Sequence, residues 1–167
     1  MAKAKKEPIV YKVYTDGSAL GNPGPGGYGA LVRCGDLEVT LSKGYFLTTN
    51  NRMEMMAVIA TMEEFGPNQR FDFYVDSTYV IDGSTSWVRN WYRNDWLTRS
   101  GEMVKNKDLW VVMHELLGAN KAKFHKVKAH AGDPDNEYVD KVAKDAAAAP
   151  TINDTGYSGI TNEPISN

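Results

Sequence analysis

Four carboxylates stand at positions where their spacing could do chemistry. Asp16 ends the strand-like run PIVYKVYT and opens onto the glycine-rich GSALGNPGPGGYG, and Asp76 ends the run FDFYVD. Glu54 lies in NRMEMMA and Asp140 in NEYVDKVAKDAAAA, stretches that read as helices. Asp16 and Asp76 both close apolar strands, which places them at one end of a sheet, where open α/β folds gather their ligands. If the two helices carry Glu54 and Asp140 to that end, four acids converge. Such a cluster is self-repelling, because like charges raise one another's pKa. A hard divalent cation with oxygen preference relieves it, and beside phosphates Mg²⁺ is the usual choice. No Ser–His or Cys–His pairing is evident.

Each acid also has an ordinary explanation. Asp16–Gly17 is a common turn pair. Asn51-Arg52-Met53-Glu54 fits a capping box with Asn51 as the helix cap. Asp76 precedes a helix and could cap it. Asp140 stands four residues before Lys144, the spacing of a surface ion pair. Spacing alone leaves both sets of readings open.

The elements that must position these acids follow from periodicity. Residues 8–15 read as a central strand, and GYGALVRCG and LEVTLSKGYF as a hairpin turning at Gly35-Asp36. Met55, Val58, Ile59, Met62 and Phe65 mark one face of a helix over 51–65. A strand over 71–76 follows, then helices over 77–93 and 106–118, a strand over 121–129 and an Ala-rich last helix. Three sequential strands, then strands alternating with helices, predict one α/β domain with a mixed sheet.

Composition narrows the class. With 167 residues and 42% apolar content, the chain is long enough for one domain with its own core. A net charge of −2 gives no global excess of cations for phosphates, so any nucleic-acid contact must be local. Cys34 is the single cysteine, which excludes a disulfide framework within the chain and suits a reducing cytoplasm. No apolar run approaches ~18 residues, so no membrane span is expected. The division expected is a basic extension over 1–7, a domain over 8–150 and a polar tail over 151–167.

The blocks TDGSALGNPGPGGYGA, TTNNRMEMMA, VDSTYV, VKNKDLW, HAGDPDNEYVD and DTGY occur in the order of type 1 ribonuclease H, and the resemblance runs from about Val10 to Tyr157. It implies a five-stranded mixed sheet with helices on both faces and cleavage of the RNA strand of RNA–DNA hybrids. It further implies two Mg²⁺ per active site, with Mn²⁺ as a substitute, held by Asp16, Glu54, Asp76 and Asp140. His130 matches the family's catalytic histidine, while His114 and His125 match no site. Metals paired in this way clamp an in-line displacement and leave 5′-phosphate and 3′-hydroxyl ends. Gly17 belongs to the glycine-rich stretch, which matches a turn where backbone amides approach the RNA. Asn22, Thr49, Asn50 and Asn51 match residues that contact the hybrid, Thr49 in a pocket for a DNA phosphate. A monomer is expected.

There are departures. Thr78 stands where the family usually has Gln, and Ala129 replaces a Gly beside His130. Residues 87–106 correspond to a basic protrusion, but Arg89, Arg93, Arg99 and Lys105 are offset here by Asp95 and Glu102. Trp87 and Arg93 are carried as substrate contacts, although the i, i+4 spacing of Trp87 and Trp91 favours core packing. The alternatives are a catalytically weak hybrid-binding module and another nuclease of the same superfold, such as an integrase or a junction resolvase.

Overall fold

The computed structural model describes residues 7–128 and 132–157. Strand β1 (Tyr11–Ala19) buries Val13, Tyr14 and Thr15 in succession, which requires cover on both faces, and it takes the centre of the sheet. β2 (Gly24–Cys34) and β3 (Leu37–Thr48) extend it antiparallel, whereas β4 (Arg70–Val75) and β5 (Lys121–Lys126) add in parallel. The order is β3-β2-β1-β4-β5, the mixed five-stranded sheet expected.

Helix α1 (Asn50–Phe65) covers one face with Met55, Val58, Ile59 and Met62 packed on Val13, Val32 and Phe73. Helix α5 (Pro134–Ala148) covers the other, where Val139 meets Tyr14 and Leu31. Along the α1 face, Phe71, Phe73 and Phe124 stack across β4 and β5 at 5.3 Å between successive centroids. Helix α4 (Lys107–Ala119) closes that side with buried Trp110, whose indole donates to the Tyr79 hydroxyl at 3.0 Å.

The local details correct several expectations. β1 does not stop at Asp16. It runs on to Ala19, and the turn before β2 is only the short Leu20–Pro23 segment. Most of the glycine-rich stretch is therefore strand. Its glycines serve packing, because a Cβ on Gly27 or Gly29 would enter the α5 backbone and side chains from Val139 to Ala147. Thr49, not Asn51, caps α1, accepting the Arg52 amide at 3.3 Å, so the capping box centred on Asn51 is absent. Ser77, not Asp76, caps the next helix through the Val80 amide. The single helix expected over 77–93 divides into α2 (Thr78–Asp82), a π-helical turn (Gly83–Trp87) and α3 (Val88–Arg93). Gly83 is the reason the turn can lie flat on the Trp110 ring, since a Cβ there would pass into the indole. The last strand ends at Lys126, short of 129.

One buried charge ties the pieces together. Arg52 of α1 is 1% exposed and grips two carboxylates bidentately. Asp108 at the start of α4 accepts at 2.6 and 2.8 Å, and Asp154 beyond α5 at 2.7 and 3.0 Å. The Thr48 hydroxyl donates to Asp154 at 2.7 Å, and the Phe46 amide donates to the Ile152 carbonyl at 2.9 Å. Tyr157 is buried as well. Residues 151–157 thus dock on β3 and α1. Removing one partner of a buried pair leaves an uncompensated charge, so Asp154→Ala is expected to cost about 3–5 kcal/mol in urea denaturation. A loss under about 1 kcal/mol, the range of exposed pairs, would show that the segment merely rests on the surface.

Candidate active site

Backbone register brings Asp16 and Asp76 to one end of the sheet. The parallel ladder of β1 and β4 ends at Thr15↔Val75. Asp16 and Asp76 are the next residue on each strand, so their carboxylates begin side by side where the two backbones cease to pair. Asp16 remains held on its other edge by antiparallel pairing with Gly29. Its Oδ1 accepts the amide of Gly17 at 2.9 Å, the local bond typical of an Asp-Gly pair, here made inside a strand.

Gly17 brings in the third acid. A Cβ at this position would run into the backbone of Met53 and Glu54, so only glycine lets α1 lie directly on β1. That contact presses Glu54 against Asp16. Helix α5 brings Asp140 to the same carboxylate through the close packing over Gly27 and Gly29.

The electrostatics divide the four acids into two kinds. Asp140 accepts Lys144 Nζ at 2.9 Å, so its ordinary surface-pair reading holds alongside its place in the cluster. Asp76 stands 3.7 Å from Lys126 Nζ, which also donates to the Asp76 carbonyl. Among the described residues neither Asp16 nor Glu54 makes an ion pair, although the charge of Lys144 is felt at Asp16. Burial, chiefly, pushes the Asp16 carboxyl up to about 6, with the charge of Asp140 adding to it, while hydrogen bonds from Glu54 and Gly17 pull the other way. Glu54 is held well above the usual carboxylate range by burial first, then by the charge and hydrogen bond of Asp16 and by the charge of Asp76. Burial is thus the first cause of the raised pKa of both carboxyls.

Glu54 Oε2 is buried and, among the described residues, has no hydrogen-bond partner. An orphaned carboxylate oxygen beside a second raised carboxyl fits a hard cation, whose charge would offset the repulsion. Among the described residues, no group of three or more His, Cys, Asp or Glu side chains is arranged to hold a metal ion. Mg²⁺ does not require one, since it keeps several waters and takes one or two carboxylates.

The remaining expected residues fall into separate groups. Asn22 Oδ1 accepts the Asn50 amide at 3.1 Å, bringing the β1–β2 turn to the start of α1, where Thr49 is buried as the cap and Asn51 is exposed. Thr78 is exposed two residues after Asp76. Trp87 is 38% exposed and packs edge-on to Tyr79 and against Trp91, while Arg93 is exposed at the end of α3. This aromatic arm joins neither the carboxylates nor the Asn22–Asn50 contact. His114 stacks on Tyr92, and His125 stacks on Tyr74 and lies 3.2 Å from Asp72, so both are structural or surface residues as expected. His130 and Ala129 lie outside the described residues. Lys126, at the end of β5, is set on Asp76. Arg52, Asn106, Asp108 and Asp154 were visible only as members of the quoted blocks, with no role attached.

The raised Asp16 carboxyl makes a prediction for the metal-free protein. A folded-state pKa of about 6 against an ordinary 3.8 means the folded chain binds the extra proton, so stability falls as pH rises from about 4 to 6. In chelator, Asp16→Asn is expected to be about 1–3 kcal/mol more stable than wild type at pH 7.5, with the difference vanishing near pH 4. Urea denaturation at both pH values tests it. A variant less stable than wild type at pH 7.5 would contradict this electrostatic reading.

The comparisons with known proteins agree with this geometry. The RNase H family model matches residues 8–148. Ribonuclease H of Pectobacterium atrosepticum is 49% identical over 146 residues, covering 87% of this chain and 95% of that protein. Ribonuclease HI of Vibrio parahaemolyticus is 47% identical over 146 residues, with the same coverage of 87% and 95%. The crystal structure of LC9-RNase H1, a type 1 RNase H with the type 2 active-site motif, superposes with a TM-score of 0.78 at 31% identity, over 89% of this chain and 76% of that one. The chain belongs to the ribonuclease H family, in its bacterial ribonuclease HI form, Mg²⁺-dependent endonucleases that cut the RNA strand of RNA–DNA hybrids.

Proposed function

We propose that this enzyme works by a two-metal displacement, with Asp16, Glu54, Asp76 and Asp140 as the metal ligands, Mn²⁺ as a substitute for Mg²⁺, and 5′-phosphate and 3′-hydroxyl products. The observation that carries the reading is the unpartnered Glu54 oxygen pressed against Asp16, a repulsive arrangement that folding alone does not need. Bound there, the ions supply Lewis acidity to the attacking water and the leaving oxygen. The protein's part is positional. Gly17 fixes the distance between α1 and β1 and hence the Asp16–Glu54 contact. Lys126 and Lys144 offset the outer acids, so the uncompensated charge is concentrated on the inner pair.

Substrate contacts are assigned to the neutral rim. Asn22, Asn50 and Asn51 offer amide groups where the β1–β2 turn meets the start of α1, with Thr49, buried as the cap, in the same corner and the backbone at Gly17 nearby. Neutral donors and acceptors suit the ribose 2′-hydroxyl, which separates RNA from DNA. Thr78, beside Asp76, reaches less far than a longer amide side chain would. Trp87 and Arg93 would meet the duplex from the α3 arm, an aromatic face and a cation of the kind that binds backbone and base. His130, in the HAG block, is assigned the role of proton carrier or aid to product departure. Among the described residues, no helix is long and apolar enough to cross a membrane. With Cys34 the single thiol, we place the enzyme in the cytoplasm as a monomer.

The test uses labelled RNA–DNA hybrid, double-stranded DNA and double-stranded RNA, with Mg²⁺ or with chelator. Only the RNA of the hybrid is expected to be cut, and only with metal. Asp16→Asn, Glu54→Gln and Asp76→Asn should each lower cleavage by at least about 10²-fold, with Asp140→Asn the mildest. Wild-type turnover by Asp76→Asn at ordinary Mg²⁺ concentration would remove the two-metal assignment. Cleavage of all three duplexes would favour another nuclease of the superfold, and binding without cleavage would favour the hybrid-binding module.

A further inference from the structure

A cavity of about 600 Å³ lies between the β4–β5 part of the sheet and the helices α3 and α4, bordering the residues where β4 and β5 begin. The acids stand at the other end of those strands, so the cavity is separate from the proposed active site. Its size lies in the ~300–1,000 Å³ range of small-molecule sites. Phe71, Ala122 and Phe124 form an apolar floor, and Val88 and Leu117 face them from the helices.

The lining also carries Arg70, Lys121 and Lys123 at the strand starts and one carboxylate, Asp72, and within it Ser84 and Arg89 sit together on the helical side. Ser84 is 7% exposed, and its hydroxyl is buried with no hydrogen-bond partner among the described residues. A buried hydroxyl without a partner is rare, and it points to a group that supplies one. Ser84 sits in the π-helical turn, an irregularity that recurs at functional positions. Arg89, one turn on, makes a single 3.4 Å bond to the Thr85 carbonyl, and among the described residues no carboxylate pairs with it. Gly118 borders the cavity from α4, and a Cβ there would meet nothing within 4 Å.

We propose that this cavity binds a small amphipathic anion, a flat apolar body with a carboxylate-like head. The body lies between the Phe71–Phe124 floor and the Val88–Leu117 wall. The head pairs with the Arg89 guanidinium and accepts the Ser84 hydroxyl. The charge of Arg89 selects the anion over its neutral analogue, and the apolar floor selects an aromatic or aliphatic body over a bare inorganic ion.

The experiment is a titration of the full chain with 2-naphthoate, followed by amide chemical shifts, with neutral 2-naphthamide as comparator. Saturable shifts are expected at Ser84, Val88, Leu117, Gly118 and Ala122, with naphthoate binding at least tenfold tighter than naphthamide. Ala122→Leu fills the floor and Gly118→Phe plugs the mouth, and each should weaken naphthoate at least tenfold at an unchanged melting temperature. Arg89→Ala, an exposed substitution that spares the core, should remove the preference of acid over amide. The proposal is overturned by the absence of saturable shifts, by shifts centred away from these residues, or by equal affinity of wild type for acid and amide. It is overturned equally by unchanged naphthoate affinity in a filling variant that melts like wild type. Should both filling variants fail to fold, the Arg89→Ala comparison decides, and a retained acid preference overturns the proposal.

Discussion

The structure depends on one close approach, the α1 backbone lying against β1 at Gly17 with no side chain between. Everything at the carboxylate cluster follows from that separation. It sets Glu54 on Asp16, and burial at the same contact denies both carboxyls the water that would screen them. A chain optimised for stability alone would move these acids apart or pair them with cations. Here the outer two have lysines and the inner two do not. That unrelieved inner pair is the observation on which the proposed cation site rests.

That arrangement needs a stiff frame, and the frame is supplied elsewhere. Arg52 lies two residues before Glu54 on the same helix, so its buried grip on Asp108 and Asp154 anchors α1 at the very turn that presents the acid. On the opposite face, Gly27 and Gly29 let α5 settle on β2 and bring Asp140 within reach of Asp16. Glycine therefore does the same work on both faces of the sheet. It removes a side-chain layer where helices must lie closest to the strands.

Much of this was legible in the residues. Period-two and period-3.6 patterns marked the strands and α1, and the strand-ending positions of Asp16 and Asp76 pointed to a shared end of the sheet. The illegible parts have physical causes. Cap choice turned on one residue, since Thr49 and Ser77 compete with Asn51 and Asp76 on local geometry that a pattern does not encode. The glycine-rich stretch looked like a long turn because glycine's use against a helix across the sheet is a tertiary fact. The π-helical turn was hidden inside an ordinary helical period, fixed by the fit of Gly83 over Trp110. Arg52 in a polar block gave no sign that its partners lay 56 and 102 residues away. The motif resemblance reached the four acids together, which spacing could only suggest.

The central claim is that the Asp16–Glu54 contact is a cation site, with the unpartnered Glu54 oxygen as a ligand. Anomalous diffraction from crystals of the wild-type chain grown with Mn²⁺ tests it most directly. The account predicts a peak at inner-sphere distance from carboxylate oxygens of both Asp16 and Glu54. Mn²⁺ found only at surface acids, with no metal between Asp16 and Glu54, would contradict it.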